Sequence, residues 1–211
     1  MIRCPWCSNI NNNIFFTDKF RSYYYCHRCQ LIYIAPKDFI SEAEEKARYD
    51  QHENSLEDSG YGKFLGRMFF PMMARIKPGD KGLDFGSGPG PLLSKLFLEA
   101  GFNIDIYDYF YAKNISIFEN KYDFITATEV IEHLHKPKET LDKLWNMLKP
   151  GGALGLMTKL STGMNDFPKW HYKNDDTHVC FFARKSFEWL AKEWNAGVEF
   201  IGKDVVVFQK T

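Results

Sequence analysis

A chain of 211 residues has room for one domain of ordinary size plus a small appendage, and its 45% hydrophobic content allows a full core. Lys plus Arg number 27 and Asp plus Glu 27, so no net field gathers a polyanion, which weighs against a nucleic-acid partner. No apolar run reaches membrane-spanning length and the first residues lack a charged-then-apolar leader, so the expectation is a cytoplasmic protein with no membrane partner.

Two Cys-x-x-Cys knuckles come first, Cys4-Pro-Trp-Cys7 and Cys26-His-Arg-Cys29, separated by 18 residues. Such spacing suits one tetrahedral ion held by four thiolates, and with sulfur at every position no place is left for a reacting water, so the ion is structural. Zinc is the first reading, with iron or a redox thiol pair as alternatives. Phe15, Phe16, Tyr23, Tyr24 and Tyr25 between the knuckles read as a short hairpin, a unit too small to hold itself without a staple. A zinc ribbon is therefore assigned to residues 1–38, expected to unfold on loss of the ion while the rest of the chain survives. Residues 1–40 carry five Lys or Arg and two acids, and four thiolates with one zinc ion add two negative charges. Near neutrality, the ribbon suits a lid, spacer or protein contact better than a grip on nucleic acid. The lone Cys180 reads as a small core residue.

Residues 39–78 read as a helical lid or linker. Ser41 with Glu44 three residues later marks a helix start. A polar, acidic stretch over 49–60 follows, and Tyr61–Ile76 reads as a second helix broken at Pro71.

From residue 79 the pattern becomes α/β. Leu83 and Phe85 belong to a buried strand that runs into Gly86-Ser-Gly-Pro-Gly90, and Leu92, Leu93, Leu96 and Phe97 mark the helix after it. The three glycines bring a ligand close to backbone N–H groups at a helix start. A dinucleotide turn wants a further glycine where this chain has Pro91. Asp84, two residues before the first glycine, suits an ammonium group, and Asp108, ending the strand Asn103–Asp108, suits both hydroxyls of a ribose. An amino-acid cation plus a ribose, with no phosphate, describes S-adenosylmethionine (SAM). Only thirteen residues separate Asp108 from Tyr122, and Ile115–Phe118 is the one short edge strand they offer. Tyr122–Thr128 is the next strand, Lys138–Lys149 a helix stopped by Pro150-Gly-Gly152, and Ala153–Thr158 a further strand. A helix through Phe187, Leu190, Ala191 and Trp194 precedes an antiparallel hairpin of Val198–Ile201 and Asp204–Gln209.

These motifs, in this order, resemble the class I SAM-dependent methyltransferases, ubiquinone-methylase-like members included, with the first motif at Asp84–Gly90 and the ribose acid at Asp108. The resemblance implies an α/β Rossmann-like sheet with a terminal antiparallel hairpin, here carrying a small N-terminal zinc ribbon. It implies a SAM-dependent methyltransferase domain over 79–211 and cofactor contacts from Asp84, Phe85, Gly86, Ser87, Gly88, Gly90, Asp108, Tyr109, Thr128 and Glu129. The chain departs from the family where a third strand and its adenine contact belong, so Tyr109 or Phe110 is expected to cover the adenine. Family members close their N-terminal region over the cofactor, which makes Tyr49, His52 and Tyr61 acceptor-side candidates.

Methyl transfer is an in-line displacement that needs an aligned acceptor, and a base when that acceptor is a hydroxyl or a carbon. Glu129 and His133 after the fourth family strand, and His171 and His178 in the 159–182 insertion, are the candidates. Glu129-x-x-Glu132-His133 with the later His178 also resembles the metal quartet of small-RNA 2′-O-methyltransferases. Metal-free relatives share Glu-His-Leu, so magnesium is the alternative to a metal-free site. Cys26-x-x-Cys29-x-Leu31-x-Tyr33 resembles a pattern among bacterial sugar and secondary-metabolite tailoring methyltransferases. The resulting expectation is methyl transfer to a small molecule, at oxygen or carbon. Its alternatives are an RNA methyltransferase using the ribbon as a substrate module, and a non-catalytic SAM-binding protein docked on a partner through the ribbon.

Overall fold

The computed structural model describes residues 2–10, 12–51 and 59–211. His52 lies outside the described residues. The central element is a six-stranded sheet in which β-strands join in the order Asn103–Tyr107, Lys81–Phe85, Tyr122–Thr128, Leu148–Met157, Val205–Gln209 and Gly197–Ile201. In chain order these are β5, β4, β6, β7, β10 and β9; β1 (Asn12–Thr17), β2 (Ser22–Cys26), β3 (Ile32–Ile34) and β8 (Cys180–Phe181) form a second sheet. Pairing is parallel from β5 through β4 and β6 to β7, and antiparallel from β7 to β10 and β9. This is the Rossmann-like sheet with its closing hairpin that the sequence leads one to expect. Helices α1 (Glu42–Tyr49), α2 (Ser59–Met73), α3 (Leu92–Glu99), α4 (Pro137–Met147) and α5 (Arg184–Trp194) complete the fold.

Two buried clusters flank the large sheet. One joins Leu65, Met68 and Met72 of α2 to Leu93 and Phe97 of α3 and Phe124 of β6. The other joins Leu141 and Leu144 of α4, Phe187 and Leu190 of α5, and Phe208 of β10 to Trp6, Tyr23 and the four knuckle cysteines. The core thus runs without a break across the boundary assigned at residue 38.

Strand pairing crosses that boundary too, since β3 pairs with β8 through Ile32–Phe181 and Tyr33–Cys180. Trp6 Nε1 donates to the Ser186 carbonyl at 2.8 Å, Ser186 Oγ donates to the Cys29 carbonyl at 2.9 Å, and the Trp6 ring packs edge-on against Phe182 at 4.9 Å. A ribbon expected to stand apart is therefore built into the larger sheet's flank, because its own hairpin cannot bury Trp6 or Tyr23.

Three elements differ locally from the sequence reading. Ile115–Glu119 is a 3₁₀ turn with Ile117 buried, not an edge strand. Thirteen residues are too few for the helical crossover and extra parallel strand that would extend the sheet past β5. The helix containing Pro71 continues past it, but only to Met73, two residues beyond the proline, which lacks the N–H for one bond of the helical ladder. Helix α4 ends at Met147 and β7 begins at Leu148, since Lys149 precedes Pro150 and is steered out of helical geometry. The Ser41–Glu44 capping box is present as read.

Gly82 on β4 faces Phe124 on β6, and a Cβ there would fall 2.2 Å from Phe124 Cζ. Gly82→Ala is expected to destabilise the protein by ~1–3 kcal/mol through overpacking. A thermal melt shows this as a fall in Tm of several degrees; an unchanged Tm would mean that the Phe124 ring moves clear without cost.

Candidate active site

The ends of β4, β5, β6 and β7 open onto one cavity of about 860 Å³. Ligands of open α/β sheets sit at this edge because the strand-to-helix loops converge there. Phe85, Gly86, Ser87, Gly88 and Pro89 form one wall, with Tyr107, Asp108, Tyr109 and Phe110 beside them. Gly86 adopts φ 76°, and a Cβ there would stand 2.3 Å from Val130 Cγ2, so the turn and the loop after β6 lie in direct contact. Asp108 Oδ2 accepts from the Gly88 N–H at 2.9 Å, and its Oδ1 accepts from the N–H groups of Phe110 and Tyr111. Ser87 Oγ and Thr128 Oγ1, both in residues that line the cavity, are buried with no hydrogen-bond partner among the described residues. Buried hydroxyls left this way mark a surface built for a polar ligand.

The opposite wall holds Glu129, His133, Lys159, His171, Tyr172, Asp175 and His178, and Tyr49 of α1 packs against both His133 at 5.4 Å and Phe110 at 5.8 Å. Glu129 takes φ 52°, a left-handed conformation held by its N–H bond to the Met157 carbonyl at 2.8 Å. Tyr172 OH donates to Glu132 Oε1 and lies 3.4 Å from Glu129 Oε2. Burial pushes both carboxyl groups up from the ordinary range, and for Glu132 the nearby Glu129 adds to it. His178 Nδ1 stands 2.7 Å from the Tyr172 carbonyl, which can only accept, so the proton sits on Nδ1 and Nε2 keeps its free pair. Burial lowers the His178 pKa and keeps the ring neutral. Its ring lies 4.7 Å from that of His133.

Among the described residues, two groups of side chains have the placement of metal ligands. The sulfurs of Cys4, Cys7, Cys26 and Cys29 all lie within 4.8 Å of one another, with Cys4–Cys29 at 3.6 Å and Cys7–Cys26 at 3.4 Å. Tetrahedral Zn–S bonds of about 2.3 Å require S···S separations of about 3.8 Å, so the donor set fits. Each knuckle is followed by a left-handed residue, Ser8 and Gln30, both at φ 58°, whose N–H groups bond back to the carbonyls of Cys4 at 3.0 Å and Cys26 at 2.7 Å. The second group is Glu132, His133 and His178, each with one ligand atom within 4.8 Å of the others.

Most residues singled out from sequence therefore meet in one place. His171 lies at the rim, with Nε2 3.2 Å from Lys159 Nζ, and Tyr61 and Tyr109 line the cavity. Asp84 and Gly90 are not among the lining residues. Tyr172 and Lys159 were missed as site residues. Lys159, just past the end of β7, could have been found from that position, whereas Tyr172 is joined to Glu132 only across 40 residues of sequence.

Comparison with known proteins agrees with this geometry. The sequence profile of a family described as a methyltransferase domain matches residues 52–199. A ubiquinone biosynthesis O-methyltransferase of Erwinia tasmaniensis is 31% identical over 114 residues, covering 51% of this chain and 45% of that protein. A second, from Saccharophagus degradans, is 28% identical over 106 residues, 50% of this chain and 44% of that protein. The chain thus spans less than half the length of these curated relatives. Among solved structures, a SAM-dependent methyltransferase from Archaeoglobus fulgidus superposes with a TM-score of 0.58 at 14% identity, over 79% of this chain and 99% of that one. The 1,6-didemethyltoxoflavin-N1-methyltransferase of Burkholderia thailandensis, solved with S-adenosylhomocysteine, gives 0.57 at 15% identity, over 94% and 99%. At these identities the structures establish the fold.

Asp84 lies behind the turn. Placed by sequence against an ammonium group, it is instead 3% exposed, with Oδ2 accepting from Ser94 Oγ at 2.9 Å and Oδ1 from Thr126 Oγ1 at 3.0 Å. It ties the turn to α3 and β6 from behind. Burial raises its pKa from 3.8 to about 6. Stability from this raised group is complete below the unfolded value and lost as pH rises through the folded one, by on the order of 3 kcal/mol. Urea unfolding from pH 4 to pH 8 should therefore fall off less in Asp84→Asn than in wild type; identical slopes would show that Asp84 does not carry this linkage.

Proposed function

Since the chain belongs to this methyltransferase-domain family, we propose that it transfers the methyl group of SAM to a small-molecule acceptor, at oxygen or carbon. One observation carries the reading: the glycine turn and Asp108 line the same cavity as His178, Asp175 and Glu129. Ser87 Oγ, Thr128 Oγ1 and the remaining lone pairs of Asp108 fit a ligand with hydroxyl and amino groups. SAM, when bound, supplies an electrophilic methyl on a sulfonium sulfur. Phe85, Gly86, Ser87, Gly88, Asp108, Tyr109, Thr128 and Glu129 would hold it, and Asp84 supports the turn from below.

His178 is the acceptor's base, taking its proton on Nε2 with the Asp175 carboxylate 3.7 Å away to stabilise the cation formed. His171 and His133 border the same space, where His171 orients the acceptor and His133 packs beside it. A second use of the cluster is favoured by its donor set, in which Glu132, His133 and His178 would hold a divalent cation. Two imidazoles suit a transition-metal ion better than magnesium. Such an ion, when bound, lowers the pKa of an acceptor hydroxyl. Since His178 Nε2 serves only one of these uses, activity with and without added Mn²⁺ or Mg²⁺ separates them.

The ribbon contributes no lining residue, as nothing described before Glu45 faces the cavity, which favours a small acceptor over an RNA held by the ribbon. A protein that only binds SAM would release no S-adenosylhomocysteine with any acceptor. Hydroxylated and carbanion-forming acceptors should give turnover in wild type. Asp108→Ala is expected to weaken SAM binding by about ten- to a hundredfold through lost charged hydrogen bonds. His178→Ala should leave that affinity nearly constant and lower kcat by ~10²–10⁴. Calorimetry and product release check both, and unchanged values in both variants would remove the assignment.

For the four cysteines we propose one structural zinc ion per chain. Because Trp6 and Tyr23 share their core with α5, loss of the ion in Cys4→Ser is expected to lower the melting temperature of the whole protein. A cost of ~3 kcal/mol corresponds to roughly 6–12 °C at this size. Elemental analysis and a thermal melt test this; metal-free wild-type protein, or a variant with an unshifted melt, would refute it.

A further inference from the structure

Arg21, in the turn between β1 and β2, is 8% exposed. Its Nη1 donates to the carbonyl oxygens of Asp176 at 3.1 Å and His178 at 3.0 Å. Its Nη2 donates to the Asp175 carbonyl at 3.0 Å and to the Lys173 carbonyl, and Nε donates to Tyr23 OH at 3.3 Å. Four backbone oxygens over residues 173–178 thus converge on one side chain from the ribbon. This stretch has only a 3₁₀ turn, His171–Asn174, before β8 begins at Cys180, so it has no ladder to satisfy those carbonyls. A guanidinium offers five N–H donors in a rigid plane and is always charged, which suits it to gather several oxygens at once.

The anchor is itself held. Asp18 Oδ1 accepts from the N–H groups of Phe20 and Arg21, both at 2.9 Å, and its Oδ2 accepts from Tyr23 OH at 2.9 Å and Lys173 Nζ at 3.4 Å. On the far side of His178 the ribbon takes hold again, where Ile34 N–H donates to the Val179 carbonyl at 3.1 Å. The backbone carrying Tyr172, Asp175 and His178 into the cavity is therefore clamped by ribbon residues that do not themselves reach it.

We propose that the ribbon is a positioning element of the active site and that Arg21 is its positioning residue, fixing the 173–178 backbone so that the Tyr172 hydroxyl and the His178 ring face the acceptor. The kinetic consequence rests on the proposed methyl transfer; the structural one does not.

The test uses the metal-loaded full chain carrying Arg21→Lys or Arg21→Met. Lysine keeps the charge but cannot span four carbonyls, and methionine keeps much of the volume without donors. With an acceptor found by product release, kcat should fall by about ten- to a hundredfold, the effect of a small misplacement of reacting groups. SAM affinity by calorimetry should stay within about twofold, because the glycine turn and Asp108 are untouched. In histidine-labelled protein the His178 ring resonances should shift or broaden while those of His27, between the knuckle cysteines, stay in place. Unchanged kcat together with unshifted His178 resonances would overturn the proposal. So would loss of the His27 signal or of the metal in both variants, since Arg21 would then be holding the ribbon itself together. Displaced His178 signals in the variants, when the wild type itself turns over no acceptor, would uphold the positioning and remove the methyl-transfer reading.

Discussion

The carbonyl oxygen of Glu132 accepts two backbone hydrogen bonds, from Val179 N–H at 2.8 Å and Cys180 N–H at 3.0 Å, and the site is organised around that joint. Glu132 belongs to the loop leaving the centre of the large sheet. Val179 and Cys180 belong to the segment that runs on into the ribbon's sheet. The joint fixes the distance between the two acids that follow β6 and the histidine and tyrosine that come some forty residues later. Without it, 159–182 would be a long connection with few constraints of its own, the kind of segment expected to open locally before the rest.

The acid cluster shows what such constraint allows. Glu132 is fully buried, and a carboxylate in that position is stable only with hydrogen bonds or a proton. Tyr172 supplies one bond, while Glu132 Oε2 has no partner among the described residues. Glu129, held left-handed at the mouth of β6, adds a second acid within reach of the same hydroxyl. Keeping these groups together in low dielectric raises their proton affinity. The direct packing of Gly86 on Val130 then sets this cluster at a fixed separation from the glycine turn, with no flexible linker between the two walls.

The ribbon supplies a different kind of constraint. Its hairpin alone buries too little to fold, and its solution is to lend aromatic surface to α5 and donors to the 173–178 backbone. Each half therefore satisfies a deficit in the other: the ribbon lacks core, and the insertion lacks a ladder for its carbonyls.

Much of this was legible in the sequence because it is encoded locally. The glycine turn, the strand runs of β4, β6 and β7, the capping box at Ser41 and the spacing of the knuckles are all short-range patterns whose physics acts within a few residues. Asp84 marks the limit of such reading. Its position before the turn was correctly found, but whether a carboxylate points at a ligand or at Ser94 and Thr126 depends on what other strands and helices bring behind it. The missing third strand was foreshadowed by a short connection, while its replacement by a 3₁₀ turn was not, because five residues of mixed polarity carry no period that separates the two. Sequence by itself determined the α/β class, the ligand turn and the four-cysteine unit. Only tertiary structure decided that the ribbon shares a sheet with the insertion, that Arg21 holds the backbone of His178, and that Tyr172 links two acids. Those contacts join residues 40 to 157 positions apart, and no local propensity records them.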